Sequence, residues 1–289
     1  FIVPGDREEA ISAGVVCTYL GIPLMHFFGG DFSTSGHIDN PIRAATSKLA
    51  SIHMVNIEEH KKRLISFGET EKSIFVVGSP SLDKFKEESK MPKKAVLQKV
   101  KATYFNDYAI LIYHPPLGKD NGRIGNSSEI KNILKVLDRQ KINTFVSYPN
   151  TDFGNTEIIK AFESYRGNKN FYFYKNFDRN TFVNIYRNAS FQIGNSSAGI
   201  YEAPAIPIPV IDIGNRQRAR GGSENLIRVK GEIKDIETAI KKVKSDSFKK
   251  KIKNMASLFG DGKSSKRAYK IIKGIRNYKD FLLKTNDTI

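Results

Sequence analysis

The sequence predicts an α/β protein made of two doubly wound units, each a parallel sheet covered by helices. Short apolar runs alternate with amphipathic stretches along almost the whole chain, and this alternation is typical of successive β-α-β units. The chain has 289 residues, of which 39% are hydrophobic, and this is enough for one large or two ordinary domains with buried cores. No apolar run reaches the length of about 18 residues that indicates a membrane span.

The first series of elements runs from the N-terminus to about residue 80. Phe1-Ile2-Val3 predicts a buried strand that is already under way at the first residue and turns at Pro4-Gly5. Because no initiator Met and no secretory segment precede it, we expect the sequence to begin inside a fold, with an upstream segment missing. Strands are predicted at 1–3, 22–28, 52–55 and 74–77, and helices at 8–20, 42–50 and 58–67.

A lysine-rich helix over 90–101 leads into the second series. Strands are predicted at 108–113, 143–148, 171–174, 191–193 and 208–213, with helices at 128–140, 155–165, 178–187 and from 197 onwards. Two helices, over 237–253 and 265–283, close the chain. We expect two units joined near 84–106 and a ligand in the crevice between them, because ligands bind outside the carboxyl ends of parallel strands.

Charge points only weakly to a partner. The formal net charge is +17, but residues 228–289 hold 18 basic and 7 acidic residues and so carry most of it. The lysines there alternate with Ile and Val at helical spacing, which favours a solvated helix face over a nucleic-acid surface. With a single cysteine, Cys17, the chain cannot form an internal disulfide, which suits a protein of a reducing compartment. We expect the Cys17 side chain to be buried in the core.

Polar residues follow the first two predicted strands. Gly5-Asp6-Arg7 comes directly after the first strand, where the alternative is a helix N-cap with a counter-charge. After the second strand come Gly29-Gly30-Asp31 and Gly36-His37-Ile38-Asp39, followed by Arg43. Carboxylates such as Asp31 and Asp39 suit proton transfer at a carbon atom. The alternative is a solvated polar loop.

Two further strand ends predict a binding site in the second unit. His114-Pro115 and Asn150-Thr151-Asp152 follow neighbouring strands, although a lone histidine is as often structural. At 193–204 a strand passes through Gly194-Asn195-Ser196-Ser197 into a predicted helix, whose amide groups would face an anion. We expect Ser196 and Ser197 to donate hydrogen bonds to a diphosphate. Glu202 is predicted about a turn and a half into the helix, where its carboxylate would accept ribose hydroxyls. Arg216, after the next strand, would reach the phosphates. The alternative is an ordinary serine N-cap.

Taken together, these motifs resemble the UDP-N-acetylglucosamine 2-epimerase family, in particular its hydrolysing branch in sialic-acid-type sugar biosynthesis. The resemblance covers nearly the whole chain. Each motif is weak alone, but their order is specific. The markers are Gly5-Asp6-Arg7, Gly29-Gly30-Asp31, Ile38-Asp39 with Arg43, Thr46-Ser47-Lys48-Leu49, Val77-Gly78-Ser79-Pro80-Ser81-Leu82-Asp83, His114-Pro115, Pro149-Asn150-Thr151-Asp152, Gly194-Asn195-Ser196-Ser197, Gly214-Asn215-Arg216-Gln217 and Gly260-Asp261-Gly262.

The resemblance implies a GT-B-like α/β fold with two Rossmann-type domains and UDP held between them. Residues 1–88 would be the C-terminal part of the first domain, 89–263 the UDP-binding domain, and 264–289 a helix packed back on the first domain. UDP contacts are implied for Arg7, His114, Asn150, Ser196, Ser197, Glu202 and Arg216, and acid-base roles at the sugar for Asp6 and Asp39.

The implied reaction removes the C2 proton, eliminates UDP and adds water to give the free 2-epimer, without NAD or a metal. The implied substrate is UDP-N-acetylglucosamine or a 4-acetamido-6-deoxy relative, between which the sequence does not choose. The implied protein is a cytoplasmic homo-oligomer, a dimer or a tetramer, without a nucleic-acid or membrane partner.

Two departures from the family pattern bear on activity. Phe28 stands where members of the family carry a carboxylate in His-Ile-Glu-Gly-Gly-Glu, and Asp31, three residues on, is the candidate replacement. The loop that leads to Asp39 is also one residue longer than usual. Family chains carry roughly 90 further residues before this point, which predicts a missing part of the first sheet. Two alternatives remain. A glycosyltransferase would use the same fold, although the acidic cluster at Asp6, Asp31 and Asp39 argues against it. A non-catalytic nucleotide-sugar-binding protein is the alternative that Phe28 favours.

Overall fold

A computed structural model describes residues 1–33, 39–116, 127–152, 154–282 and 284. The Gly36-His37-Ile38 part of the second predicted strand end lies outside these residues. Along the described chain, the strands are β1 (Ile2–Pro4), β2 (Met25–Phe27), β3 (Ile52–Val55), β4 (Ile74–Val76), β5 (Tyr108–Ile112), β6 (Asn143–Ser147), β7 (Phe171–Tyr174), β8 (Phe191–Gly194), β9 (Val210–Ile213) and β10 (Leu226–Val229).

The helices cover the sheets. They are α1 (Glu8–Tyr19), α2 (Asp39–Leu49), α3 (Glu58–Ser66), α4 (Ser81–Glu87), α5 (Lys93–Lys99), α6 (Ser127–Arg139), α7 (Asn155–Glu163), α8 (Arg179–Asn188), α9 (Ala198–Tyr201), α10 (Ile233–Lys244), α11 (Asp246–Ile252) and α12 (Ser264–Gly274). No helix in the described part of the chain is both long and apolar enough to cross a membrane.

The chain divides into two compact units. Unit 1 comprises Phe1–Lys84 and Leu258–Ile289, and unit 2 comprises Phe85–Ser257. Unit 1 contains a four-stranded parallel sheet in the order β1-β2-β3-β4. On one side Val3 packs with Ala10 and Cys17 of α1, and another cluster joins Met54 to Ala268 of α12.

Unit 2 contains a six-stranded parallel sheet in the order β10-β9-β8-β5-β6-β7. The chain builds outward from β5 to β7 and then returns to the other side of β5 with β8. Since the strand order reverses between β5 and β8, the ends of these two strands form a topological switch point, where ligands bind in open α/β sheets. A ligand site in unit 2 is therefore expected at the residues that follow β5 and β8.

The core of unit 2 explains its apolar strands. Every residue of β5 is buried. Ala109 and Leu111 belong to the core cluster that contains α6, whereas Tyr108 and Ile110 belong to the cluster that contains α5 and α8. A strand covered by helices on both faces has no polar alternation, as expected for a parallel sheet. The predicted class of α/β units with parallel sheets is confirmed.

Several predicted elements differ from the structure. The helix predicted over 237–253 is two helices, α10 and α11, because Ser245 caps the second one by accepting a hydrogen bond from Phe248 N at 3.3 Å. The helix predicted over 265–283 ends at Gly274 and is followed by a separate 3-10 turn. Helix α4 and the edge strand β10 were not predicted.

Candidate functional site

Asn195 joins the two strand ends at the switch point of unit 2. Its side-chain amide bonds both backbone groups of His114: Oδ1 accepts from His114 N at 2.8 Å, and Nδ2 donates to His114 O at 2.8 Å. Gly194, with φ +137°, makes this approach possible, because a Cβ atom there would overlap the carbonyl oxygen of Ile112 on β5. These two hydrogen bonds, which we call the Asn195 clamp, join the end of β8 to the end of β5.

His114 is held as a neutral imidazole at this clamp. Burial and, to a smaller extent, the positive charge of Arg216 lower its pKa to about 4, while the charge of Asp152 opposes both. Its Nδ1 atom accepts a hydrogen bond from Asn150 N at 3.3 Å. Because a neutral imidazole carries one proton, that proton lies on Nε2, which is then a hydrogen-bond donor for a ligand.

The serine turn differs from its prediction. Helix α9 is a single turn of four residues, and Glu202 lies just beyond its end and not inside it. The cause is Pro204, whose ring cannot continue a helix. Ser196 Oγ accepts a hydrogen bond from Ala198 N at 3.3 Å, so this hydroxyl caps the turn, while Ser197 makes no side-chain cap. The helix dipole behind these two serines is that of one turn only.

Glu202 carries a carboxylate oxygen without a partner among the described residues. Its Oε2 atom is buried and forms no hydrogen bond. Burial raises the pKa of the Glu202 carboxyl, and the charges of Arg179 and Arg220 oppose that rise. A buried carboxylate oxygen left unpaired is costly and rare in folded proteins, so this atom is a candidate ligand contact.

Arg216 and Asn150 complete the predicted residues of unit 2. Arg216 donates to the backbone oxygen of Asn195 at 3.1 Å, beside Gln217, whose Nε2 donates to the same oxygen at 2.9 Å. Asn150 is exposed, and its side chain donates to Asp152 Oδ2 at 2.5 Å. Arg216 therefore lies at the Asn195 clamp. Asn150 also belongs to this site, because its backbone N–H donates to His114 Nδ1.

Arg43 joins the two acidic loops of unit 1. The side chain of Arg43 on α2 is buried, donates to the Asp6 carboxylate and to the backbone oxygen of Asp31, and lies 4.0 Å from Asp31 Oδ2. His60 of α3 approaches the other oxygen of Asp31 at 3.6 Å. The structure thus brings Asp6 and Asp31 together around one cation. Spacing did not indicate His60, because it lies inside a helix with no motif around it.

Asp39 and Arg7 have different surroundings. Asp39 is the first residue of α2, not part of a solvated loop, and precedes Arg43 by four residues, which places both on one face of the helix. Arg7 is exposed, with its guanidinium at 3.5 Å from Glu8 and 3.7 Å from Glu9. It occupies the N-cap position of α1 but caps nothing with its side chain.

His26 fixes the loop that carries Asp6. Its Nε2 atom is 2.7 Å from the carbonyl oxygen of Gly5 and its Nδ1 atom 3.0 Å from Ser47 Oγ. A carbonyl oxygen only accepts, so Nε2 carries the proton and Nδ1 accepts from the serine hydroxyl. Burial lowers the pKa of His26 to about 4, against the opposing hydrogen bond to Gly5. This neutral histidine is a positioning residue that the sequence showed only as part of a family motif.

Comparison with known proteins agrees with these motifs. The family model described as UDP-N-acetylglucosamine 2-epimerase matches residues 1–273. The UDP-N,N'-diacetylbacillosamine 2-epimerase (hydrolyzing) of Legionella pneumophila is 31% identical over 98% of this chain and 72% of its own length. The GDP/UDP-N,N'-diacetylbacillosamine 2-epimerase (hydrolyzing) of Campylobacter jejuni is 34% identical over 86% of this chain, which spans 64% of that relative.

Solved structures show the same fold. The Methanocaldococcus jannaschii UDP-GlcNAc 2-epimerase in complex with UDP-GlcNAc and UDP superposes with a TM-score of 0.74 at 19% identity, over 94% of this chain and 75% of that one. The Neisseria meningitidis UDP-GlcNAc 2-epimerase bound to UDP-GlcNAc gives 0.74 at 18% identity, over 95% and 76%. The expected GT-B-like class is thereby confirmed. With the family match over residues 1–273 and the Legionella relative at 31% identity, the chain belongs to the UDP-N-acetylglucosamine 2-epimerase family.

Proposed function

We propose that the protein is a hydrolysing 2-epimerase that converts a UDP-linked 2-acetamido sugar into UDP and the free 2-epimer. The observation that carries the proposal is the buried, unpaired Oε2 atom of Glu202 in a member of this family. Two relatives are named as hydrolyzing 2-epimerases of a UDP-diacetylated sugar, which supports the same reaction type here.

In this proposal unit 2 binds UDP. Glu202 accepts hydroxyls of the ribose, and the Nε2–H group of neutral His114 donates to a phosphate oxygen. Arg216, Ser196 and Ser197 supply charge and hydroxyl donors to the diphosphate as it leaves, when negative charge develops on its bridging oxygen. Asn150 and Arg7 are the remaining proposed contacts. The supporting geometry is the Asn195 clamp, which keeps His114 and Arg216 at the switch point.

Unit 1 supplies the acid-base groups. A base removes the proton from C2, the bond between C1 and the phosphate oxygen breaks, and UDP leaves with the bonding electrons. Water then adds its hydroxyl group to C1, and a proton returns to C2 on the opposite face. We propose Asp6 and Asp39 for these transfers, with Asp31 in place of the carboxylate that is missing at Phe28. The Arg43 guanidinium contacts the Asp6 carboxylate and lies 4.0 Å from Asp31 Oδ2, which supports placing both carboxylates at one site.

The substrate is proposed as UDP-N-acetylglucosamine or a 4-acetamido-6-deoxy relative. The N,N'-diacetyl sugars named for the two relatives support the second choice. A single cysteine suits the cytoplasm, and a cytoplasmic dimer or tetramer stays a prediction that sedimentation would test.

The reaction in D₂O tests this function. We expect UDP release from either sugar and deuterium at C2 of the free 2-epimer, because the returning proton comes from solvent. Asp39→Asn should lower the rate by about 10²–10⁴ with UDP affinity unchanged. Asp246→Asn is the control, since Asp246 is also the first residue of a helix. Products without deuterium at C2 would exclude elimination and favour simple hydrolysis or glycosyl transfer.

A further inference from the structure

An apolar pocket lies at the carboxyl end of the sheet of unit 1. Its volume is about 310 Å³, at the lower end of the range of about 300–1,000 Å³ typical of small-molecule sites. Pro4 and Phe27 end β1 and β2, Phe28 directly follows β2, and Pro80 lies four residues after the end of β4. Helix α12 contributes Ser265, Ala268 and Tyr269.

Helix α12 is fixed in place beside these strand ends. The Asp83 carboxylate accepts from Ser264 N at 2.9 Å and from Ser265 N at 2.6 Å. Arg267 Nε donates to Val77 O, which directly follows β4, at 2.8 Å. Because hydrogen bonds to charged side chains hold the first turns of α12, this wall of the pocket is formed before any ligand arrives.

Phe28 has a strained backbone. Its φ of +66° lies in the left-handed region, which is unusual for a bulky residue. Phe28 N donates to Met54 O at 3.1 Å and Gly5 N donates to Phe27 O at 3.0 Å, so the neighbouring strands impose this conformation. Such strain persists where the surrounding structure over-determines it and clusters at ligand sites. Here it sets the direction in which the aromatic ring enters the pocket.

The pocket residues directly precede the acidic loops. Pro4 leads into Gly5-Asp6, and Phe28 leads into Gly29-Gly30-Asp31. Arg43 contacts both Asp6 and Asp31. The apolar surface and the proposed acid-base groups therefore share the ends of β1 and β2.

We propose that this pocket, with Phe28 as its central residue, selects a nucleotide sugar whose C6 is a methyl group. The inference rests on the proposed function and chooses between the two sugars left open there. Ser265 and Tyr269 carry the only hydroxyl groups among the described lining residues, and almost all of the surface that the lining presents to the pocket is carbon. A C6 hydroxyl group would lose its water without gaining a full set of partners, whereas a methyl group gains contacts with the ring.

A matched pair of substrates tests the pocket. UDP-N-acetylglucosamine and UDP-2-acetamido-2,6-dideoxyglucose differ only in the C6 hydroxyl. We expect the protein to favour the deoxy sugar by about 10- to 100-fold, both in affinity by calorimetry and in kcat/KM for UDP release, since an apolar pocket rejects an added hydroxyl by up to about 10². Equal values for the two sugars would overturn the proposal.

Two variants locate the preference. Phe28→Asn replaces the ring by a side chain that tolerates a left-handed backbone. In this variant the ratio of kcat/KM for the deoxy sugar to that for UDP-N-acetylglucosamine should fall to about one. Tyr269→Ser removes an exposed ring from the other wall and should lower it as well, with little risk to folding. Phe67→Asn is the control, because Phe67 is an exposed aromatic residue of unit 1 outside the pocket. A preference that survives both pocket variants would contradict the inference.

Measuring the binding of each sugar separately from the release of UDP distinguishes the pocket from the proposed reaction. Preferential binding of the deoxy sugar without UDP release would support the pocket and contradict the epimerase function. Release of UDP at equal rates from both sugars, bound equally well, would support the function and contradict the pocket.

Discussion

Glu202 illustrates how a single residue exposes a ligand site. Buried polar atoms nearly always have hydrogen-bond partners, yet Glu202 Oε2 has none among the described residues. The local sequence explains the position: Pro204 ends helix α9 after one turn and leaves Glu202 at its last carbonyls. Oε2 of this carboxylate is therefore available as an acceptor, which suits a group that accepts hydroxyls from a ligand.

The first prediction concerns this residue. Glu202→Ala should weaken UDP binding by about tenfold or more, because hydrogen bonds to a charged group contribute about 1.5–3 kcal/mol each. Calorimetric titration with UDP measures the effect. Glu224→Ala, an exposed glutamate of the same unit, should bind UDP as tightly as the unchanged protein. An unaltered affinity in Glu202→Ala would remove this residue from the site.

Residues in unit 1 depend on long-range partners. The sequence indicated Asp6, Asp31 and Asp39 as carboxylates in loops, but it contained no sign that Arg43 would join two of them. His60 contributes from another helix, α3, where no motif distinguishes it from a surface residue. Contacts of this kind follow from how helices pack on the sheet and not from local spacing.

At the scale of elements, the crossing from β5 to β8 decides the geometry of unit 2. Gly194 is at the end of β8 with φ +137°, and its missing side chain lets Asn195 reach the backbone of His114. The neighbouring β5 backbone fills the space where a Cβ atom would stand. The turn can therefore not accept another residue without displacing a central strand.

The second prediction follows from this contact. Gly194→Ala should destabilise unit 2 by several kcal/mol and abolish measurable UDP binding, because both the φ angle and the overlap with Ile112 oppose a side chain. Gly167→Ala is the control: Gly167 has φ +84° but open space around it, so only the cost of the left-handed backbone, about 1 kcal/mol, remains. Urea unfolding measures both. Equal losses of stability in the two variants would show that local movement relieves the overlap between the introduced Cβ atom and Ile112 O.

The two units as wholes differ in how acid affects them. In unit 1, burial lowers the pKa of His26 to about 4 and that of His53 below its usual value. Burial of Glu69 would raise its pKa, but hydrogen bonds from His53 and Lys284 outweigh this and lower it to about 2. In unit 2, His114 also has a lowered pKa, whereas burial raises that of Asp212 to about 7 despite the opposing charge of Arg228.

The sign of each effect follows from proton binding. A histidine whose pKa falls from 6.5 to about 4 on folding binds more protons when unfolded, so acidification through that range destabilises the fold, by up to about 3 kcal/mol for His26. Glu69 adds to this loss of stability once the pH falls below about 4.5, the pKa of an unperturbed glutamate, because its pKa in the folded protein is lower. Asp212, with a raised pKa, binds more protons when folded, so acidification from pH 7 stabilises unit 2 and offsets His114.

The third prediction is that unit 1 loses its structure first on acidification. Hydrogen exchange followed by mass spectrometry between pH 7 and 4.5 should show peptides of unit 1 losing protection at a higher pH than those of unit 2. Asp212→Asn removes the offsetting group, so unit 2 should become more acid-sensitive while unit 1 is unchanged. Earlier loss of protection in unit 2 would contradict the assignment of these groups.

The sequence alone determined the class of the fold and the motifs of the family. Apolar runs that alternate with amphipathic stretches predict parallel α/β units, because strands covered on both faces are apolar throughout; β3 and β7 have the predicted limits. The edge strand β10 escaped prediction, since its residues are only partly buried and the charged Arg228 interrupts its apolar run. Helix α10 was predicted to continue into α11, although the Ser245 cap was present in the sequence.

Only the tertiary structure decided which side chains meet. Sequence order identifies Asp6, Asp31, His114 and Glu202 as candidates, but Arg43 between two aspartates and the pocket around Phe28 arise from residues far apart in the chain. Hydrogen-bond partners and burial set the protonation of His26 and His114, and neither follows from residue identity. The physical reason is that periodicity reports the faces an element buries, whereas contact between elements is fixed by packing and strand order.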